Sequence, residues 1–310
     1  MLNVAFLGLG VMGSGMAARL LGAGVRVAVW NRSAARAEPL RAEGASVAAT
    51  PAAAAADADV IVAMVADDRA SREVWLGADG ALAGARRGAI ALECGTVSPS
   101  WVEELAREAA ARAVDLLDAP VLGSRPHAHD GQLTFLVGGD ATVLDRARPI
   151  LAPMSRLVIH LGPIGSGARM KLVNNFLAGT QAAALAEALA MAGAAGLDRD
   201  AAFSVLANGA PGSPLVKTVG PRMLARDYDV NFALSLMRKD LTYAIEEAAA
   251  HGVTLSIAAA ARALYDNAIA AGFADVDFAA VAEPLLATDK HEEGRRRTRT
   301  NTDKAEEGHR

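Results

Sequence analysis

Residues 3–30 read NVAFLGLGVMGSGMAARLLGAGVRVAVW, and this stretch decides the fold. Residues 4–7 form a short apolar run of strand length. Residues 12–22 carry a helical pattern, and residues 26–30 alternate like a second strand. Between the first strand and the helix stands Gly8-Leu9-Gly10-Val11-Met12-Gly13, a G-x-G-x-x-G in the context that gives the pattern meaning. Gly8 permits the tight turn, Gly10 bares backbone for a pyrophosphate, and Gly13 lets helix and strand pack closely. The helix start then offers amide donors and a positive dipole end to phosphate.

Outward from this unit, strands are expected at 60–65, 89–93, 114–118, 132–137 and 157–160, separated by helical stretches such as 100–113. Strands alternating with helices imply βαβ units in a largely parallel, doubly wound sheet. The pattern changes at the glycine hinge GPIGSG, residues 162–167. Beyond it, helical periodicity covers 168–193, 198–207, 234–251, 256–271 and 278–286. The expected organisation is therefore a Rossmann-type dinucleotide-binding domain over 1–163, an all-helical domain over 164–288 joined by a long interdomain helix, and a charged tail over 289–310.

Composition narrows the function classes. The 310 residues carry 31 Lys+Arg, 35 Asp+Glu and a formal charge of −4, which gives no pull toward nucleic acid. Seven of the basic and six of the acidic residues lie in 289–310, so the remainder carries −5. That tail holds no large apolar side chain to offset its ordering entropy, and it reads as a solvated, disordered extension. The lone cysteine, Cys94, can form neither an internal disulfide nor a thiolate cluster. The N-terminus lacks a basic leader, and residues 181–197 fall short of the ~20 apolar residues of a membrane span. A cytoplasmic protein without membrane or nucleic-acid partners is expected.

The end of the second strand selects the dinucleotide. An acid there would accept hydrogen bonds from a ribose 2′-hydroxyl. The chain instead has Asn31-Arg32-Ser33, followed by Arg36. Arg32 can stack on adenine and pair with a 2′-phosphate, while Asn31 and Ser33 add neutral hydrogen bonds, so NADP(H) is expected over NAD(H). Met12, Met64 and Val65 are expected to flank the cofactor.

Several segments together are similar to the β-hydroxyacid dehydrogenase family, which includes 3-hydroxyisobutyrate dehydrogenases and glyoxylate/succinic semialdehyde reductases. They are FLGLGVMGSGMAARL at 6–20, ECGTVSP around Thr96, DAPVLGS at 118–124, GSGARMKLVNN at 165–175 and FALSLMRKDL at 232–241. The resemblance spans the chain up to the tail. It implies a substrate cleft between two domains, a catalytic lysine at Lys171, Thr96 at the nicotinamide ribose, and Lys239 closing over the cofactor beside an orienting Asp240. It also implies dimers or tetramers packed through the helical domain. Lys171 and Asn175 are four apart and share a helix face near the positive end of the dipole. That end disfavours an ammonium and suits Lys171 to proton transfer during hydride exchange between a nicotinamide and a small β-hydroxyacid or semialdehyde. Asn175 would hold the substrate oxygen.

The substrate loop departs from the family's Ser-Gly-Gly, reading Leu122-Gly123-Ser124 with Arg125 next. A hydroxyl is lost at 122; the amides of Gly123 and Ser124, the Ser124 hydroxyl and Arg125 remain as carboxylate ligands. Leu122 makes the pocket more apolar, which favours an imine reductase as the alternative enzyme, although Lys171 is retained where such enzymes usually replace it. A non-catalytic dehydrogenase-fold binding module is the other class. A 6-phosphogluconate dehydrogenase needs a longer helical domain. His127, His129 and Asp130 read as a solvated loop rather than a metal site, and Tyr228, Tyr243 and Tyr265 as packing residues.

Overall fold

The computed structural model describes residues 2–286; the tail expected over 289–310 lies outside them. The chain falls into two compact units, Met1–Asn174 with Glu246–His251, and Asn175–Ile245 with Gly252–Arg310.

The first unit is built on a nine-stranded sheet: β1 Asn3–Leu7, β2 Arg26–Trp30, β3 Ser46–Val47, β4 Val60–Ala63, β5 Ile90–Glu93, β6 Asp115–Asp118, β7 Val121–Leu122, β8 Leu133–Gly138 and β9 Ser155–Gly162. The order is β3-β2-β1-β4-β5-β6-β8-β7, with β9 on β8. Strands β1 to β6 run parallel. Strand β8 runs antiparallel to β6 and β7, and β9 lies parallel beside it. The chain leaves β1 toward β2 on one side and later returns to β4 on the other, so the loop after β1 stands at the sheet's switch point, where such folds bind ligands.

Both faces of the sheet are covered, as the period-2 alternation of a strand requires. Val4 and Phe6 enter one apolar core with Met16, Leu20 and Val62, while Ala5 and Leu7 enter the other with Ile61, Trp75 and Trp101. The two-residue strands β3 and β7 were not anticipated, since so short a run carries no period.

The long helix Ser166–Ala194 has 29 residues. By length and composition it is, among the described residues, the one helix able to cross a membrane, with 44% of its most apolar stretch buried inside the protein. Its later turns supply Ala182, Leu185, Ala186 and Leu189 to the core of the second unit, where Met223, Leu241, Tyr265 and Phe278 join them. Among the described residues that unit also holds the helices Arg199–Asn208, Pro214–Ala225 and Ser256–Ala270, the 3-10 helix Phe278–Ala282, and the helix Leu234–Ala250 up to Ile245. The helix Pro214–Ala225 is not among the expected helical stretches, and it contains two prolines, Pro214 and Pro221. Pro214 sits at the first turn, where no amide is needed, and Ser213 caps it by accepting from Val216 N at 3.1 Å.

Candidate active site

The glycine turn of the first unit is shaped by close packing. Gly8 has φ +98°, and a Cβ there would lie 2.5 Å from the Met64 carbonyl oxygen and 2.9 Å from a Val65 methyl. A Cβ on Gly13 would overlap the carbonyl oxygen of Gly8. Around Gly10, by contrast, a Cβ would meet nothing within 4 Å. Gly8 and Gly13 are thus demanded by the fold, while Gly10 leaves bare backbone facing open space at a helix start. This cradle fits the pyrophosphate of a dinucleotide.

Asn31, at the end of β2, ties this turn to the next. Its Oδ1 accepts from Leu9 N at 2.8 Å and its Nδ2 donates to the Ser33 carbonyl at 2.9 Å. Arg32, Ser33 and Arg36 are left exposed beyond it. No carboxylate occupies the end of β2, and Val11 at the crest of the glycine turn is also exposed.

Across the sheet, Met64 donates from N to the Leu7 carbonyl at 2.8 Å, which brings Met64 and Val65 beside the glycine turn. A Cβ on Gly95 would lie 2.7 Å from the Val65 carbonyl oxygen, so the loop holding half-buried Thr96 lies against the same edge. That loop is anchored by a fully buried carboxylate, Glu93, at the end of β5. Its Oε1 accepts from Gly95 N at 2.8 Å, and its Oε2 accepts from Ser71 Oγ and from Trp75 Nε1 at 2.8 Å. Trp101 Nε1 in turn donates to Ser71 Oγ at 2.7 Å. Burial pushes the Glu93 carboxyl up despite these donors. The adjacent Cys94 thiol is buried and pushed well up by desolvation, so it is inert packing.

The loop expected to hold substrate follows β6 and β7. Gly123 has φ +130°, and Leu122 is half-buried. Ser124 is engaged locally: its N–H meets His127 Nδ1 at 3.3 Å and its Oγ lies 3.0 Å from the same nitrogen. The segment expected to be a loop is in fact a short helix, Arg125–His129, because Ser124 and His127 satisfy its first turn. It packs on the helix after the glycine turn at Gly15, where a Cβ would lie 2.9 Å from His129 N. Among the described residues no cluster of three or more His, Cys, Asp or Glu could hold a metal ion.

Lys171 is half-buried in the second turn of the long helix. One turn on, Asn175 is buried and belongs to the second unit. Its Nδ2 donates to Asp240 Oδ2 at 2.6 Å. A carboxylate only accepts, so the amide orientation of Asn175 is fixed. The other oxygen of Asp240, itself fully buried, lies 2.9 Å from Lys239 Nζ, which stands 4.8 Å from the centre of the Tyr243 ring. Asp240 therefore orients two expected site residues. The orienting role expected of Asp240 toward Lys239 has a local basis; the contact with Asn175, 65 residues away, has no local signal.

One further carboxylate was read only as part of a motif. Asp118, buried at the end of β6, accepts from Gly165 N at 2.8 Å and from Ala168 N at 2.7 Å. Burial is the largest influence on its carboxyl and pushes it up from 3.8 to about 6. A carboxyl whose folded pKa lies above its unfolded one contributes stability that is full below the unfolded value and lost as pH rises through the folded one. Between about pH 4 and pH 7 this amounts to about 2 kcal/mol. Urea unfolding should therefore show wild type losing about that much more than Asp118→Asn over this range; parallel curves for the two proteins would refute it.

Both halves of the chain match known proteins. Residues 3–162 match the model for the NAD binding domain of 6-phosphogluconate dehydrogenase, and residues 165–285 that for NADP-dependent 3-hydroxyisobutyrate dehydrogenase. The chain is 36% identical to glyoxylate/succinic semialdehyde reductase 2 of Arabidopsis thaliana, over 94% of this chain and 81% of that protein. It is 35% identical to the NAD-dependent L-serine dehydrogenase of Pseudomonas aeruginosa, over 91% and 97%. The solved structure of Mycobacterium tuberculosis 3-hydroxyisobutyrate dehydrogenase with L-serine superposes with a TM-score of 0.83 at 34% identity, covering 92% of this chain and 99% of that one. With both halves matched in order and the dinucleotide cradle in place, the chain belongs to the 3-hydroxyisobutyrate dehydrogenase family and is an NAD(P)-dependent oxidoreductase.

Proposed function

We propose that this enzyme interconverts a small semialdehyde and its β-hydroxyacid with NADP(H), using Lys171 as general acid and base. The observation that carries the reading is the lysine's placement: Lys171 stands in the second turn of a helix whose first turn is bonded to the dinucleotide-binding sheet through Asp118. The bound nicotinamide supplies or takes the hydride. Lys171 gives a proton to the substrate oxygen in reduction and removes it in oxidation. Asn175, its amide held by Asp240, keeps that oxygen in register.

Gly8 to Gly13 and the helix start would hold the pyrophosphate. Met64, Val65 and Thr96 would line the nicotinamide side, with Lys239 covering the cofactor. Leu122, Gly123, Ser124 and Arg125 would form the substrate rim, with the hydroxyl and amide of Ser124 already drawn toward His127. We keep the domain limits at 1–163 and 164–288, a cytoplasmic location, and a homodimer or homotetramer as the working assembly.

The cofactor choice is tested separately. Asn31, Arg32 and Ser33 provide one cation and two neutral polar groups and no acid, which suits a 2′-phosphate. A lost charge-assisted hydrogen bond costs about 1.5–3 kcal/mol. Arg32→Ala should therefore lower kcat/KM with NADPH about 10- to 100-fold and leave the value with NADH within threefold. A wild-type preference for NADH overturns the assignment. For the substrate, a panel of glyoxylate, succinic semialdehyde, 3-hydroxyisobutyrate, L-serine and cyclic imines, run with both cofactors, decides. Turnover of imines alone would refute the semialdehyde reading.

A further inference from the structure

The hinge before the long helix is intrinsically loose. Gly162 and Gly165 both have positive φ, +128° and +87°, and the helix begins directly after them at Ser166. Such a junction does not by itself fix the direction of the helix that follows, because glycine has the widest backbone freedom. The direction is set instead by Asp118. Its two oxygens each take an amide of the hinge or first turn, Gly165 N at 2.8 Å and Ala168 N at 2.7 Å. Two glycines clear the space for this grip. A Cβ on Gly138 would overlap Asp118 Oδ1, and a Cβ on Gly167 would lie 2.9 Å from Asp118 Oδ2 and overlap the Leu136 carbonyl oxygen.

We propose that Asp118 is a positioning residue for Lys171, holding the first turn of the long helix on the end of β6 so that the lysine's proton is delivered at a fixed place. This rests on the reading of Lys171 as the proton carrier. Ala168 and Lys171 are three residues apart, so they share a face and are separated by about 4.5 Å along the axis. Over that distance a rigid helix passes any tilt of its first turn directly to the lysine. A misplacement of about 1 Å at a reacting group costs about 100-fold in rate. Arg169 offers a second strap, 2.6 Å from Glu103 and 2.8 Å from Glu247, but its side chain is 37% exposed and such pairs hold weakly. The buried carboxylate is the stronger tie. Its neighbour in register on β5 is Glu93, which anchors the Thr96 loop by the same device. Two buried acids at adjacent strand ends thus hold the cofactor side and the proton side of the site.

Asp118→Asn keeps the volume but turns an NH2 group toward an amide donor. At saturating semialdehyde and NADPH it should lower kcat 10- to 100-fold, leave the dissociation constant for NADPH within twofold, and raise the solvent isotope effect on kcat as proton transfer becomes limiting. A general loss of structure would instead weaken cofactor binding as well. A folded Asp118→Asn protein with kcat within threefold of wild type overturns the proposal. Should the variant not fold, hydrogen exchange on the wild type decides: the amides of Gly165 and Ala168 must be as protected as those of β6, and rapid exchange there overturns it. Lys171→Met separates the two readings. If it retains wild-type kcat, the role of Lys171 fails; if it is inactive while Asp118→Asn is unimpaired, only the positioning role fails.

Discussion

Lys171→Met is expected to lower kcat by about three orders of magnitude while NADPH affinity moves less than twofold. Removal of a general acid or base costs about 100- to 10,000-fold, and the half-buried placement of Lys171 puts the effect in that range. Methionine keeps an unbranched apolar stem and a comparable helix propensity, so the second turn of the long helix should be undisturbed. The ammonium alone is removed. The cofactor cradle lies on other elements, at the glycine turn after β1 and at the end of β2, so binding of NADPH should persist. Stopped-flow measurement of a single turnover, with cofactor affinity titrated separately, checks both halves. A variant within threefold of wild type would remove Lys171 from the mechanism.

The second large effect separates the glycines of the turn. Gly10→Ala should fold with an unchanged Tm yet bind NADPH at least 100-fold more weakly, because the added methyl meets no protein atom but occupies the face offered to the pyrophosphate. Gly13→Ala should do the reverse. Its methyl would overlap the carbonyl oxygen of Gly8 and lie 3.2 Å from the Phe6 ring, so helix and strand must separate. Overpacking of that kind costs about 1–3 kcal/mol, and cofactor affinity then falls as a consequence of the displaced turn. Thermal melts with and without NADPH distinguish the two. A Gly10→Ala protein that still gains full thermal stabilisation from NADPH would show that the phosphates lie elsewhere.

The sequence by itself exposed whatever is local. The G-x-G-x-x-G turn, the strand before it and the helix after it are short-range patterns, and the absence of an acid at 31–33 is visible by inspection. Lys171 and Asn175 could be placed on one helix face because a helix converts spacing into direction. Periodicity failed where an element was too short to have a period, as in β3 and β7. The expected helical stretches also left out Pro214–Ala225, and residues 127–130, read as a loop, close the short helix Arg125–His129.

Of the buried carboxylates, Asp240 was expected to orient Lys239, while Glu93 and Asp118 were legible only as letters in motifs. Glu93, Asp118 and Asp240 sit fully buried, and each finds its donors through the fold: Ser71 and Trp75, Gly165 and Ala168, Asn175 and Lys239. A buried charge survives only where donors converge on it, and that convergence depends on strand register and helix docking over separations of up to 65 residues. The sequence therefore determined the βαβ cradle and the helix face that carries Lys171. Only the tertiary structure decided how that helix is gripped at Asp118 and that Asp240 also holds Asn175, because those interactions join segments that no local pattern links.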